Sequence, residues 1–72
     1  MAQLTHQQYD ELESAVRKGT RIAVFRRGTE YVVIPHRLRM LDGREAVEAV
    51  HPTTGDSITL YLDEVDSIDT VK

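Results

Sequence analysis

Apolar and polar residues alternate along most of this chain, and only its first quarter keeps a different rhythm. From Leu4 to Lys18 the apolar residues Tyr9, Leu12 and Val16, with Ala15 beside them, recur at the three- and four-residue spacing of a helix face. Thr5 and Gln8 form a Thr-x-x-Gln capping box, and Leu4 and Tyr9 have the spacing of a hydrophobic staple. Asp10, Glu11 and Glu13 sit early, Arg17 and Lys18 sit late, and Gly19 ends the segment, all of which suit a helix and its dipole. A helix this short is not stable alone, so its apolar stripe is expected to pack on a sheet.

From Thr20 onward the period is that of strands. Thr20 to Arg26 places Ile22 and Val24 on one face and Ala23 and Phe25 on the other, which suggests burial on two sides, as in a barrel wall. Arg26-Arg27-Gly28-Thr29 then turns the chain. The segment that organises the rest is Glu30 to His51, a long strand bent at Pro35, an Asp42-Gly43 turn, and a returning strand from Arg44. Asp-Gly between two extended runs is a strong hairpin signal, because a type I′ turn needs positive φ at both central residues. Pro35 cannot donate to a ladder and marks an edge, a bulge or a bend. Beyond it Leu38 and Met40 point one way and Arg37 and Arg39 the other. In the returning strand Val47 and Ala49 share one face, Glu48 and Val50 the other.

After a loop at His51 to Asp56, the strand Ser57 to Leu62 has Ile58, Leu60 and Leu62 inward and Thr59 and Tyr61 outward. A helical turn at Asp63 to Val65 and a short strand at Ser67 to Val71 complete the chain. The pattern predicts a mainly β fold, with one N-terminal α-helix over about residues 5–18. A five-stranded antiparallel SH3-like or Sm-like barrel follows over about 20–71, in a single domain of residues 1–72. Closing such a sheet would remove its exposed edges.

Composition narrows the setting. A chain of 72 residues buries only about 60–65% of its unfolded surface, so each core residue counts. Without cysteine it has neither disulfides nor thiolate metal sites, which fits a reducing compartment. The N-terminal segment has no basic and apolar regions of a signal peptide, and no apolar run approaches the ~20 residues of a membrane span. A cytoplasmic protein that does not engage a membrane is expected.

The net charge of −3 is unevenly spread: −3 over residues 1–16, +6 over 17–44 and −6 over 45–72. Such asymmetry marks a partner surface or, more plainly, neighbouring strands that neutralise one another. Two partner classes follow from it. The acids Asp56, Asp63, Glu64, Asp66 and Asp69 would complement a basic protein surface and speed encounter with it. The arginines Arg26, Arg27, Arg37, Arg39 and Arg44 would contact phosphates, with Tyr31 and Tyr61 as stacking platforms for unpaired bases. Against the second stands pairing of those arginines with acids such as Glu45, Glu48 and Asp56. The last strand also offers an edge for a partner strand or another copy of the chain, so a homo-oligomer is a further expectation.

Catalytic chemistry is not expected. His6, His36 and His51 lack metal-ligand spacing, and Ser14, Ser57 and Ser67 lack a nucleophile-elbow context. Asp63, Glu64, Asp66 and Asp69 do not form a calcium-loop pattern, and Gly28, Gly43 and Gly55 are turn glycines rather than a phosphate cradle. No cofactor and no metal are expected.

From Arg21 to Ile68 the chain resembles the WYL domain, an Sm-like barrel of bacterial transcription regulators. The resemblance lies in Ile22-Ala23-Val24, Val33-Ile34-Pro35-His36-Arg37-Leu38, Gly43-Arg44-Glu45, Ala49, Thr54-Gly55 and Leu62-Asp63-Glu64-Val65. Glu45-Ala46-Val47 stand where the Trp-Tyr-Leu signature falls, and without a helix-turn-helix module DNA reading by these residues alone is not expected. The segments Tyr9 to Ala15 and Leu60 to Val65 are also similar to Rof, a small bacterial inhibitor of the termination factor Rho. That resemblance implies a helix on an Sm-like barrel that binds the nucleic-acid-binding domain of Rho and blocks RNA access. The sequence therefore predicts a non-catalytic cytoplasmic regulator that docks on a basic protein surface, in transcription. An RNA- or single-stranded-DNA-binding barrel using the arginine face is the alternative.

Overall fold

The structure, a computed structural model, describes residues 4–71; residues 1–3 and 72, at the two ends of the expected domain, lie outside the described residues. Helix α1 spans His6–Lys18 and is followed by strands β1 (Ile22–Arg26), β2 (Thr29–Leu41), β3 (Arg44–Val50), β4 (Ser57–Tyr61) and β5 (Ser67–Thr70). A short 3₁₀ turn, Leu62–Glu64, joins β4 to β5. All pairings are antiparallel, in the order β4-β3-β2-β1-β5.

Local chemistry sets each element. The Thr5 hydroxyl accepts the Gln8 amide at 3.1 Å while the Gln8 side chain accepts the Thr5 amide at 3.0 Å, so the capping box is formed. The acids do not reach the first turn, because the helix begins at His6; the dipole is complemented only by Arg17 and Lys18 in the last turn. Gly19 closes the helix by donating its amide to the Ala15 carbonyl. Asp42 and Gly43 both have positive φ, at 53° and 75°, as the tight turn between β2 and β3 requires.

Strand β2 is long enough to serve two half-sheets. Its first half pairs with β1, as in Ile22↔Val33 and Val24↔Tyr31, and its second half pairs with β3, as in Leu38↔Val47. The register shifts between Pro35 and Arg37, placing a bulge at His36 next to the proline. The strand folds over there, and the two half-sheets enclose one core.

That core holds Leu12 and Ala15 from α1, Ile22 and Val24 from β1, Val33 from β2, Val47 and Ala49 from β3, Leu60 from β4, and Leu62, Val65 and Ile68 beyond it. Helix α1 lies against β2 and β5 on this inner side. Leu38 and Met40, expected on one face of the strand, differ in burial: Leu38 is half-buried against the core, whereas Met40, beside the open hairpin tip, is 63% exposed. The barrel is also not closed, because no ladder joins β4 to β5 among the described residues. The chain between these strands coils into the 3₁₀ turn, and β5 then pairs with β1 instead of returning along β4. Two strand edges therefore remain open.

Candidate functional site

The residues singled out from the sequence fall into three places. The first is an ion-pair cluster where the start of β3, the β1–β2 turn and the 3₁₀ turn meet. Arg44 holds Asp63 with Nε to Oδ2 at 2.8 Å and Nη2 to Oδ1 at 2.7 Å, and reaches Glu64 at 3.2 Å. Glu64 also faces Arg26 and Arg27, each at 3.9 Å. Asp66 accepts the backbone amide of Arg27 at 3.2 Å. The two rival residue sets thus converge here: the predicted acids Asp63 and Glu64 pair with the predicted arginines Arg26, Arg27 and Arg44, while Asp66 holds only a backbone amide. The Arg44 guanidinium holds the Asp63 carboxyl below its usual range, chiefly by hydrogen bonding, and its own charge is reinforced in return.

The tyrosines are part of the same arrangement. The guanidinium carbon of Arg44 lies 3.9 Å from the centre of the Tyr61 ring, and that of Arg26 lies 4.9 Å from the Tyr31 ring centre. Arg26 also donates to the Tyr31 hydroxyl at 3.2 Å. One face of each proposed stacking platform is already taken by an arginine of the same chain.

The second place is the outer face of β2–β3–β4. Register rows set Arg37 beside Glu48 and Thr59, and Arg39 beside Ala46 and Tyr61. Glu48 serves both arginines, at 3.7 Å to Arg37 and 2.8 Å to Arg39. Two cations against one carboxylate leave this face mildly basic, and Arg37 remains 67% exposed. Ala46 is fully buried although alternation places it on the outer face.

The third place is the outer face of β5–β1–β2, opposite the side that receives α1. Because Ile22 and Val24 enter the core, alternation turns Ala23 and Phe25 outward. Asp69, Ala23 and Val32 form one row across the three strands; Ser67, Phe25 and Glu30 form the next. Val71 continues beyond β5, with its amide on the Arg21 carbonyl. Val32 and Val71 are 37% and 39% exposed, and with Met40 they make up the large apolar residues that lie open among the described residues. A groove of about 500 Å³ beside Val32 is lined by Arg21, His51, Pro52, Thr53, Thr54 and Asp56. Among the described residues, Glu30, Asp56 and Asp69 take part in no ion pair. The sequence singles out Asp56 and Asp69 of this face as partner candidates, but not Glu30, Phe25, Val32 and Val71. The signal was the apolar second face of β1, which implied a covering layer that α1 does not supply.

Elsewhere, the Tyr9 hydroxyl donates to Glu45 at 2.5 Å and fastens α1 to β3. That hydrogen bond, followed by burial and the nearby Glu45 and Glu13 charges, pushes the phenol up to about 12. Among the described residues no three metal-ligating side chains converge, and no helix is long and apolar enough to cross a membrane.

No family model matches the chain, and no curated protein matches it. Among solved structures the chain is similar to a segment of proteasome accessory factor B/C (PafBC) of Arthrobacter aurescens, with a TM-score of 0.75 and 23% sequence identity. The match covers 97% of this chain and 12% of that one, so the chain spans about an eighth of the length of PafBC. The Rof resemblance rests on its sequence segments alone. The likeness to PafBC is one of fold, and it supports a WYL-like fold of an N-terminal helix and five antiparallel strands.

Proposed function

We propose that the chain is a non-catalytic, cytoplasmic binding module that receives a basic, partly apolar protein segment on the outer face of β5–β1–β2. One observation carries this reading: three carboxylates without ion-pair partners, Glu30, Asp56 and Asp69, surround an apolar strip of half-buried Phe25 and exposed Val32 and Val71. Apolar area supplies the affinity of such a surface and unpaired charge selects a cationic partner. Arg21 is the cation in the adjoining groove, so the surface stays net acidic. Asp63 and Glu64 are less suited to the task, since a partner would have to displace arginines already in place, and Asp66 already accepts the Arg27 backbone amide. The WYL resemblance adds a role in a transcription regulator.

The test is an amide NMR titration with a short peptide of alternating lysine and leucine, with a glutamate-leucine peptide as control. Saturable shifts centred on Ala23, Phe25, Val32 and Asp69, weakened severalfold in D56N/D69N, are expected for the lysine peptide alone. Shifts centred on Arg37 and Arg39, or equal response to both peptides, would remove the reading.

A second reading has its own observation, the two-to-one excess of Arg37 and Arg39 over Glu48 on an open face. It requires single-stranded RNA to bind at low salt, measured by fluorescence anisotropy, and binding to vanish in R37A/R39A.

A further inference from the structure

Natural sheet edges are blunted by charge, proline, bulges or a covering element. The β5 edge follows that rule, with Asp66 before it and Asp69 within it. The β4 edge does not. Its five residues, Ser57, Ile58, Thr59, Leu60 and Tyr61, include no charge, no proline and no glycine, and four of them are β-branched or apolar. It is the outermost strand of the order β4-β3-β2-β1-β5, and α1 packs on β2 and β5 instead.

The ladder with β3 fixes which groups of β4 face outward. The His51 amide donates to the Asp56 carbonyl at 2.9 Å, and from there hydrogen-bonded and non-bonded pairs alternate along the hairpin. Ala49↔Ile58 and Val47↔Leu60 are then the bonded pairs; Val50↔Ser57, Glu48↔Thr59 and Ala46↔Tyr61 are not. The backbone groups of Ser57 and Thr59 and the amide of Tyr61 therefore point to the open edge, while the Tyr61 carbonyl caps the 3₁₀ turn. These three residues are symmetric about Thr59.

We infer that β4 is a homodimer interface, in which β4 of a second copy pairs antiparallel about a two-fold axis at Thr59. In that register Thr59 bonds Thr59 of the second copy through both its outward groups, and the Tyr61 amide donates to the Ser57 carbonyl, while the Tyr61 carbonyl stays with the 3₁₀ turn it caps. Ile58 meets Leu60 across the axis on the core side, covering the part of Ile58 that the monomer leaves exposed. Charge selects this pairing over its rival. The β4 edge brings no like charges together, whereas β5 pairing with itself would bring the Asp69 carboxylates of two copies close. The contact is small, so the association is weak and requires high protein concentration.

The test is sedimentation equilibrium of the full chain from micromolar to millimolar concentration, with amide hydrogen exchange on the same samples. A monomer–dimer equilibrium is expected, with exchange at Thr59 slowing as concentration rises and exchange at Leu60, already bonded to β3, unchanged. T59K, which sets like charges at the axis, is expected to weaken dimerisation about a hundredfold or more. T59P removes the central outward amide at an edge position that tolerates proline, and is expected to be monomeric. A chain that stays monomeric at millimolar concentration overturns the inference. So does a dimer that survives T59K with Thr59 unprotected, or growth beyond a dimer, which would mean β4 pairing with β5 of the next copy.

Discussion

Arg44 and Asp63 meet through two parallel hydrogen bonds of 2.8 and 2.7 Å although they are 19 residues apart, and the pair ties the start of β3 to the 3₁₀ turn. Neither side chain is deeply buried, so the pair is exposed to screening. Asp63→Asn is expected to lower stability modestly at low salt, with the difference shrinking as the Debye length falls from about 30 Å at 0.01 M to about 3 Å at 1 M. Its pH dependence has a definite sign. Arg44 depresses the Asp63 carboxyl, so the stabilisation is present above the ordinary carboxylate value and is lost as pH falls through the folded one. Urea melts of wild type and Asp63→Asn should differ at neutral pH and coincide in strong acid. Glu64→Gln is expected to cost more, about 1 kcal/mol, because it leaves Arg26, Arg27 and Arg44 facing one another.

Tyr9 and Glu45 give the opposite dependence. The phenol is pushed up to about 12 in the folded chain, so folding retains a proton that the unfolded chain releases near pH 10. The contribution is complete below the unfolded value and disappears as pH rises through the folded one. Alkaline titration of tyrosinate absorbance should show one late step that Tyr9→Phe removes. The same substitution, which deletes the bond between α1 and β3, is expected to cost about 1 kcal/mol at neutral pH in a urea melt.

The local rules carried most of the fold. Thr5 with Gln8, Asp42 with Gly43, and Pro35 each act within a few residues, and each does in three dimensions what its neighbours imply. What lay beyond reach was pairing between distant segments. Nothing near Arg44 indicates that Asp63 will meet it, so two charge clusters read as rival partner surfaces when they are largely each other's counterions. The acidic apolar face was hidden for a related reason. Val32 looks like any strand residue until the register sets it in line with Ala23 and Asp69, and until α1 is found on the other side.

Arg27 shows a conflict that the sequence also concealed. The β1–β2 turn places Arg27 at φ 52° and Gly28 at φ 77°, the same two-residue geometry as Asp42-Gly43. Gly28 takes this conformation freely, but a long side chain such as Arg27 is strained in it by about 1 kcal/mol or more. The Asp66 carboxylate that accepts the Arg27 amide offsets part of that strain by holding the turn to the segment before β5. The side chain itself gains little, being 80% exposed with its guanidinium 3.9 Å from Glu64. Arg27→Asn, which creates the favoured Asn-Gly pair, is therefore expected to stabilise the chain by about 0.5 kcal/mol despite the lost ion pair. Asp66→Ala should destabilise it by a similar amount and speed exchange of the Arg27 amide. Thermal melts of the two variants measured together decide the matter, since an Arg27→Asn chain that melts below wild type would show that the guanidinium contributes more than the strained backbone costs.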